Sequence, residues 1–228
     1  MTQFVFMLTR NDRTVENALE VLNSLEGSGL VHVGFKDVGA TPELQRQLTD
    51  RAHELGMTVY LEVVSVDAAD ELNSIRAAIA AGVDWIVGGT FAEQDLELLA
   101  GTGIKFAPFP GEIVGHPSEL QGTIEEITAH AKQLVALDGV HGVDVLAYRN
   151  KSVDVPALIA SVVDALEEPV LVAGGVVGEE QIYAIAKAGA WGFTIGGAIF
   201  DGILPGDKDV VSQVKTALRF ASEAAAAV

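Results

Sequence analysis

The strongest constraint on this chain is a strict alternation of two kinds of segment. Short runs rich in β-branched and aromatic residues alternate with longer segments whose apolar residues recur at helical spacing. The runs are Gln3 to Leu8, Leu30 to Phe35, Thr58 to Val64, Trp85 to Val87, Lys105 to Phe109, Val143 to Tyr148, Val170 to Ala173 and Phe193 to Ile195. Helix-end chemistry supports the spacers: Thr41-Pro42 opens one that Gly56 closes, Thr123 with Glu126 forms a capping box, and Gly82 and Gly189 close two others. Strands joined through helices run parallel, with right-handed crossovers. Eight such units in 228 residues suit a closed barrel, for which ~250 residues is typical. The expectation is an α/β chain folded as a single (β/α)8 barrel, one domain over residues 1–228. An open doubly wound sheet is the competing architecture, but no GxGxxG follows the first strand.

One stretch carries more than fold. Pro169 to Phe200, PVLVAGGVVGEEQIYAIAKAGAWGFTIGGAIF, reads as strand, glycine pair, amphipathic helix, strand, glycine pair. Glycine pairs leave backbone N–H groups pointing out of a turn, and such nests hold anions. In an eight-fold barrel the loops after strands 7 and 8 are the usual phosphate cradle. AGG before a helix, followed by GAWGFTIGGAIF, resembles the end of the ribulose-phosphate-binding TIM-barrel group. That group includes sugar-phosphate isomerases and epimerases and related synthases. The resemblance is carried by these thirty-odd residues and is architectural elsewhere. It implies a phosphate held by Gly174, Gly175, Gly196 and Gly197. An internal echo links Ala77–Phe91 (AAIAAGVDWIVGGTF) to Ala184–Phe200, as in a duplicated half-barrel. Strand 3 ends Val63-Val64-Ser65 without a glycine pair, so Gly88-Gly89-Thr90 is the weaker cradle and a one-phosphate substrate is expected.

Composition narrows the function classes. With 32 acidic and 14 basic residues the formal charge is −18, which argues against nucleic acid and anionic membranes as partners. An anionic substrate must then be held locally, by amides and a few placed cations. The absence of cysteine removes disulfides, thiolate metal sites and a cysteine nucleophile. No apolar run reaches membrane-spanning length, and no secretory signal pattern opens the chain. A cytoplasmic protein needing no cofactor is expected, and no His/Asp/Glu cluster has metal-ligand spacing. Assembly as a homo-oligomer stays open.

Barrel chemistry sits at the C-terminal ends of strands. Those ends offer Thr9, Arg10 and Asp12, then Lys36 and Asp37, Glu62, Thr90, and Tyr148 with Arg149, while the long loop after strand 5 offers Glu112 and His116. Parity sharpens the choice. Bulky Val31, Val33 and Phe35 are expected to face the helices, leaving His32, Gly34 and Lys36 inside. Likewise Val59, Leu61 and Val63 face out, leaving Tyr60 and Glu62 inside. Lys36 and Glu62 on adjacent strands form either an acid/base pair or a salt bridge. The catalytic candidates are Lys36, Glu62, Asp37 and Arg10. The substrate-binding candidates are Thr9, Thr90, His116, Tyr148 and Arg149, with residues 111–122 as a lid.

Two mechanisms fit these residues. If burial and Arg10 lower its pKa, Lys36 is a neutral base removing a proton α to a carbonyl, with Glu62 returning one: isomerisation or epimerisation. As a Schiff-base nucleophile it makes a C–C bond labile, as in a lyase, aldolase or synthase. A non-catalytic phosphometabolite-binding protein is the alternative of another class. Departures from the resembling group are specific. The Asp-x-Lys-x-x-Asp run of its decarboxylases is absent, strand 1 ends Leu8-Thr9-Arg10 without the isomerases' aspartate, and Gly174 stands where the epimerases carry a glutamate.

Overall fold

The computed structural model describes residues 2–65 and 67–227. Its eight barrel strands are β1 (Gln3–Met7), β2 (His32–Lys36), β3 (Thr58–Val63), β4 (Trp85–Gly88), β5 (Lys105–Ala107), β6 (Val143–Val145), β7 (Val170–Val172) and β8 (Gly192–Ile195). The helices are α1 (Ala18–Ser24), α2 (Pro42–Glu54), α3 (Ala68–Ala81), α4 (Ala92–Leu99), α5 (Ile124–Val135), α6 (Val155–Ala165), α7 (Glu179–Lys187), α8 (Gly197–Phe200) and α9 (Val210–Ala226). The strands pair in parallel in the order β6-β7-β8-β1-β2-β3-β4-β5. Two backbone bonds join the segments that carry β5 and β6, His141 N to Phe106 O at 2.7 Å and Asp144 N to Pro108 O at 3.0 Å. They close the ring. No helix of the described residues is long and apolar enough to cross a membrane.

Strand parity divides the apolar residues into two cores. Val33, Phe35, Val59, Leu61 and Val63 join the large cluster between strands and helices. Val5, Met7, Tyr60, Val87, Ala107 and Leu171 fill the barrel, packed against Trp85 and Trp191. Tyr60 stacks on Trp85 at 5.9 Å, and Trp85 on Trp191 at 6.4 Å, so aromatic rings plug the N-terminal end. His32 belongs to this plug, bonded to Gln3 Oε1 at 3.3 Å and Tyr60 Oη at 3.2 Å. Apolar layers below leave the C-terminal end as the place for polar side chains.

Several expected boundaries shift for local reasons. Val31 precedes β2 and is 49% exposed instead of packing under a helix. The run expected to end in Tyr148 stops at Val145, and Ala147–Arg149 forms a 3-10 turn that swings Arg149 toward the barrel axis. The segment after the first strand is an antiparallel hairpin, Thr9–Arg10 with Arg13–Thr14. The loop after β5 is a second hairpin, Glu112–Val114 with Glu119–Gln121. Gly196-Gly197, expected as a turn, opens the one-turn helix α8, which makes nine α-helices among the described residues where eight were expected.

Candidate active site

Lys36 and Glu62 are register partners at the ends of β2 and β3, and both are buried. Lys36 Nζ lies 2.6 Å from Asp12 Oδ1 and 3.4 Å from Glu62 Oε1. Asp12 reaches the cluster from the tip of the first hairpin, where Asn11 and Asp12 have φ of 52° and 60°. Two left-handed residues in a two-residue turn match the twist of a hairpin, and Asn and Asp tolerate that region better than most side chains. Thr14 bolts this hairpin to β2: its Oγ1 donates to Lys36 O at 2.7 Å and accepts from Lys36 N at 2.9 Å.

Arg149 supplies the second cation, donating from Nη2 to Asp12 Oδ1 at 2.7 Å and from Nη1 to Ser118 O at 3.0 Å. One guanidinium thus ties the floor of the site to the hairpin over it. Burial alone would raise the Asp12 pKa, but the hydrogen bonds and charges of Arg149 and Lys36 outweigh it and hold the carboxyl well below the usual range. Asp144 on β6 lies within the same electrostatic field, fully buried, and neither of its carboxyl oxygens has a donor among the described residues. Burial, then the charge of Glu62, push its pKa well up, against the opposing pull of Lys36 and Arg149. Burial thus favours the protonated form of Asp144 beside the ion cluster.

These side chains open on a cavity of about 520 Å³ lined by Lys36, Glu62, Asp12, Arg149 and Thr9, and by Gly174, Gly175, Gly196 and Gly197. The amides of Gly174, Gly175, Val176 and Gly196 donate to no protein acceptor among the described residues. Glycine at 174 is demanded by contact, because a Cβ there would stand 2.5 Å from Arg149 Nε. At 196 a Cβ would lie 2.7 Å from the backbone oxygen of Thr9. A larger hollow of about 1040 Å³ lies at the N-terminal end, lined by Trp85, Trp191, Lys105 and His141. None of its charged side chains is buried. The buried charged side chains line the cavity at the other end.

The remaining candidates separate. Arg10 is half exposed and pairs with Asp201 at 2.6 Å on the cavity rim. The cation that joins the Lys36 cluster through Asp12 is Arg149, not Arg10. Asp37 spends its oxygens on Val38 N, Val64 N, Ser65 Oγ and Ser74 Oγ, bracing the β2 and β3 ends outside the cavity lining. Thr90 is held by Glu71 through both its amide and its hydroxyl, and lies away from the cavity. The Tyr148 side chain packs against Gly175, and its phenol pKa is raised by burial, then by Glu180. His116 hangs from the second hairpin with Nδ1 3.8 Å from Asp12 Oδ2, and the adjoining Pro117 lines the cavity. Among the described residues no group of three or more His, Asp or Glu side chains is placed to hold a metal ion.

No family model matches the chain, and no curated protein matches it. Solved structures do. Thiamine phosphate pyrophosphorylase from Pyrococcus furiosus superposes with a TM-score of 0.67 at 14% identity, covering 98% of this chain and 96% of that one. Orotidine 5′-phosphate decarboxylase from Pyrococcus horikoshii OT3 gives 0.64 at 17% identity over 95% and 99%. Phosphoribosylanthranilate isomerase from Thermotoga maritima gives 0.64 at 16% identity over 98% and 100%. These likenesses agree with the resemblance of Pro169–Phe200 to the ribulose-phosphate-binding barrels, and at such identities they speak to architecture. The chain has the (β/α)8 TIM-barrel fold of these enzymes.

Proposed function

We propose that this protein is an enzyme acting on a small phosphorylated sugar or carbonyl compound, by proton transfer α to the carbonyl. The observation that carries the reading is one cavity with open amides at Gly174, Gly175, Val176 and Gly196 on one wall and the Lys36–Glu62–Asp12 cluster on another. The amides receive the phosphate, as backbone nests do. Arg149 adds charge beside Gly174.

The geometry favours a different division of labour from the one expected with Lys36 as the base. Lys36 Nζ donates to Asp12 Oδ1 and lies 3.4 Å from Glu62 Oε1, so in this reading Lys36 is the cationic donor and Glu62 the acceptor. Glu62 takes the proton from the carbon next to the carbonyl. The electron pair of that C–H bond moves to form the C=C of an enediolate, and the carbonyl π pair moves onto its oxygen. The Lys36 ammonium faces that oxygen and stabilises the charge. Glu62 then returns its proton to the neighbouring carbon while the hydroxyl proton passes between the two oxygens through Lys36, which completes an isomerisation. An epimerisation instead has the original carbon protonated on its other face by Lys36, with Glu62 left protonated until it exchanges with water. The hairpin carrying His116 and Pro117 covers the cavity and excludes water.

Exchange of substrate C–H with deuterated water tests this, using pentose and hexose monophosphates as probes. Lys36→Ala and Glu62→Gln are each expected to slow exchange by about 10²–10⁴-fold, while inorganic phosphate still binds. Undiminished exchange in either variant removes the assignment. A borohydride-trapped adduct on Lys36 would instead assign a Schiff-base lyase.

A further inference from the structure

The chain builds one glycine turn twice and uses it in two ways. Gly88-Gly89, at the end of β4, has φ of 76° and 82°, and Gly174-Gly175, after β7, has 70° and 82°. In the second turn the amides of Gly174, Gly175 and Val176 donate to no protein acceptor among the described residues. In the first they are taken. Gly89 N donates to Val63 O at 2.9 Å. Thr90 N and Phe91 N both donate to Glu71 Oε1, at 2.7 and 2.8 Å, and Thr90 Oγ1 donates to Oε2 at 3.3 Å.

Glu71 comes from α3 and is completely buried. A carboxylate that accepts two backbone N–H groups and a hydroxyl at a strand-to-helix turn is held as an external oxyanion would be held. Beside it stands Asp95 of α4, also completely buried, with neither oxygen meeting a donor. Two carboxyls facing each other this way share a hydrogen bond only if one is protonated. Burial, then the hydrogen bond and charge of Glu71, push Asp95 up to about 8, which favours a protonated Asp95 with Glu71 as the acceptor beside it. Gly89 makes room for this arrangement, since a Cβ there would come 2.7 Å from Glu71 Oε1.

We propose that Glu71 is a built-in anion filling a second oxyanion site at the end of β4, and that the substrate therefore carries phosphate at one end only. The inference rests on the reading that Gly174, Gly175, Val176 and Gly196 hold a phosphate. β4 stands four strands from β8 around the ring. A second phosphate bound at the end of β4, across the ring from the first, would need the amides that Glu71 already occupies.

Calorimetric titration with inorganic phosphate at pH 6, where Asp95 stays protonated, tests the inference. The wild-type protein is expected to bind one phosphate per chain, and Glu71→Ala two. Two phosphates on the wild type, or one on each protein, overturn the built-in anion and leave the cradle at residues 174–196 standing. No phosphate on the wild type removes the cradle, and the one-phosphate inference with it. If Glu71→Ala does not fold in plain buffer, refolding in formate, whose carboxylate replaces the missing one, is expected to restore it. No recovery in formate overturns the proposal.

Discussion

At the residue scale, the site is governed by how many charges the barrel mouth encloses and which are neutral. Asp12 sits between Lys36 and Arg149, and removing its charge leaves two cations facing each other with little water. Asp12→Asn is therefore expected to lower stability by about 3 kcal/mol, as for breaking a buried ion pair from one side. Denaturant unfolding at neutral pH measures it. The pH dependence follows from the depressed carboxyl: its stabilising contribution is complete above the ordinary aspartate pKa and is lost as pH falls through the lowered value. The wild type should thus lose stability below about pH 4 more steeply than Asp12→Asn. Lys36 and Glu62 were legible in the sequence because period-two parity along β2 and β3 is a local property. The ion-pair and hydrogen-bond partners of Arg10 and Asp37 were not legible, because Asp201, Ser65 and Ser74 lie on other elements.

At the element scale, α3 and α4 are locked to the β4 turn by a carboxyl pair, and this lock titrates. A carboxyl whose folded pKa is raised stabilises fully below its unfolded value, and the contribution disappears as pH rises through the folded one. For Asp95 that window runs from the ordinary aspartate value to about 8. Thermal unfolding midpoints are expected to decline across this range. Asp95→Asn, which keeps a neutral donor beside Glu71, should flatten the decline. An unchanged slope in that variant would place the proton elsewhere. Capping motifs were readable at this scale: Thr41 accepts from Leu44 N and Thr123 closes its box with Glu126, because both patterns lie within four residues. The plug at Thr90 was not, since Glu71 stands nineteen positions away.

At the scale of the whole molecule, a formal charge of −18 opposes the approach of any anion to the proposed amide cradle. Salt screens this long-range field, whose reach falls from about 30 Å at 0.01 M to about 8 Å at 0.15 M ionic strength. Contacts inside the cavity are screened far less. The association rate of inorganic phosphate is therefore expected to rise severalfold over that range, the reverse of the usual trend for anion sites. Stopped-flow binding at two salt concentrations decides it, and a falling rate would show that the cations at the cavity dominate the approach.

The sequence by itself determined the alternation of strand and helix, hence the barrel, together with the inward parity of Lys36 and Glu62 and the positions of the glycine turns. Each depends on periodicity or backbone freedom within a few residues. Only the tertiary structure decided that Asp12 and Arg149 complete the ion cluster, that Asp144 is buried beside it without a donor, and that one glycine turn is open while its counterpart is filled by Glu71. Those outcomes depend on contacts between groups far apart in the chain. Barrel closure creates such contacts, and the desolvation that accompanies closure sets the charge state of each group.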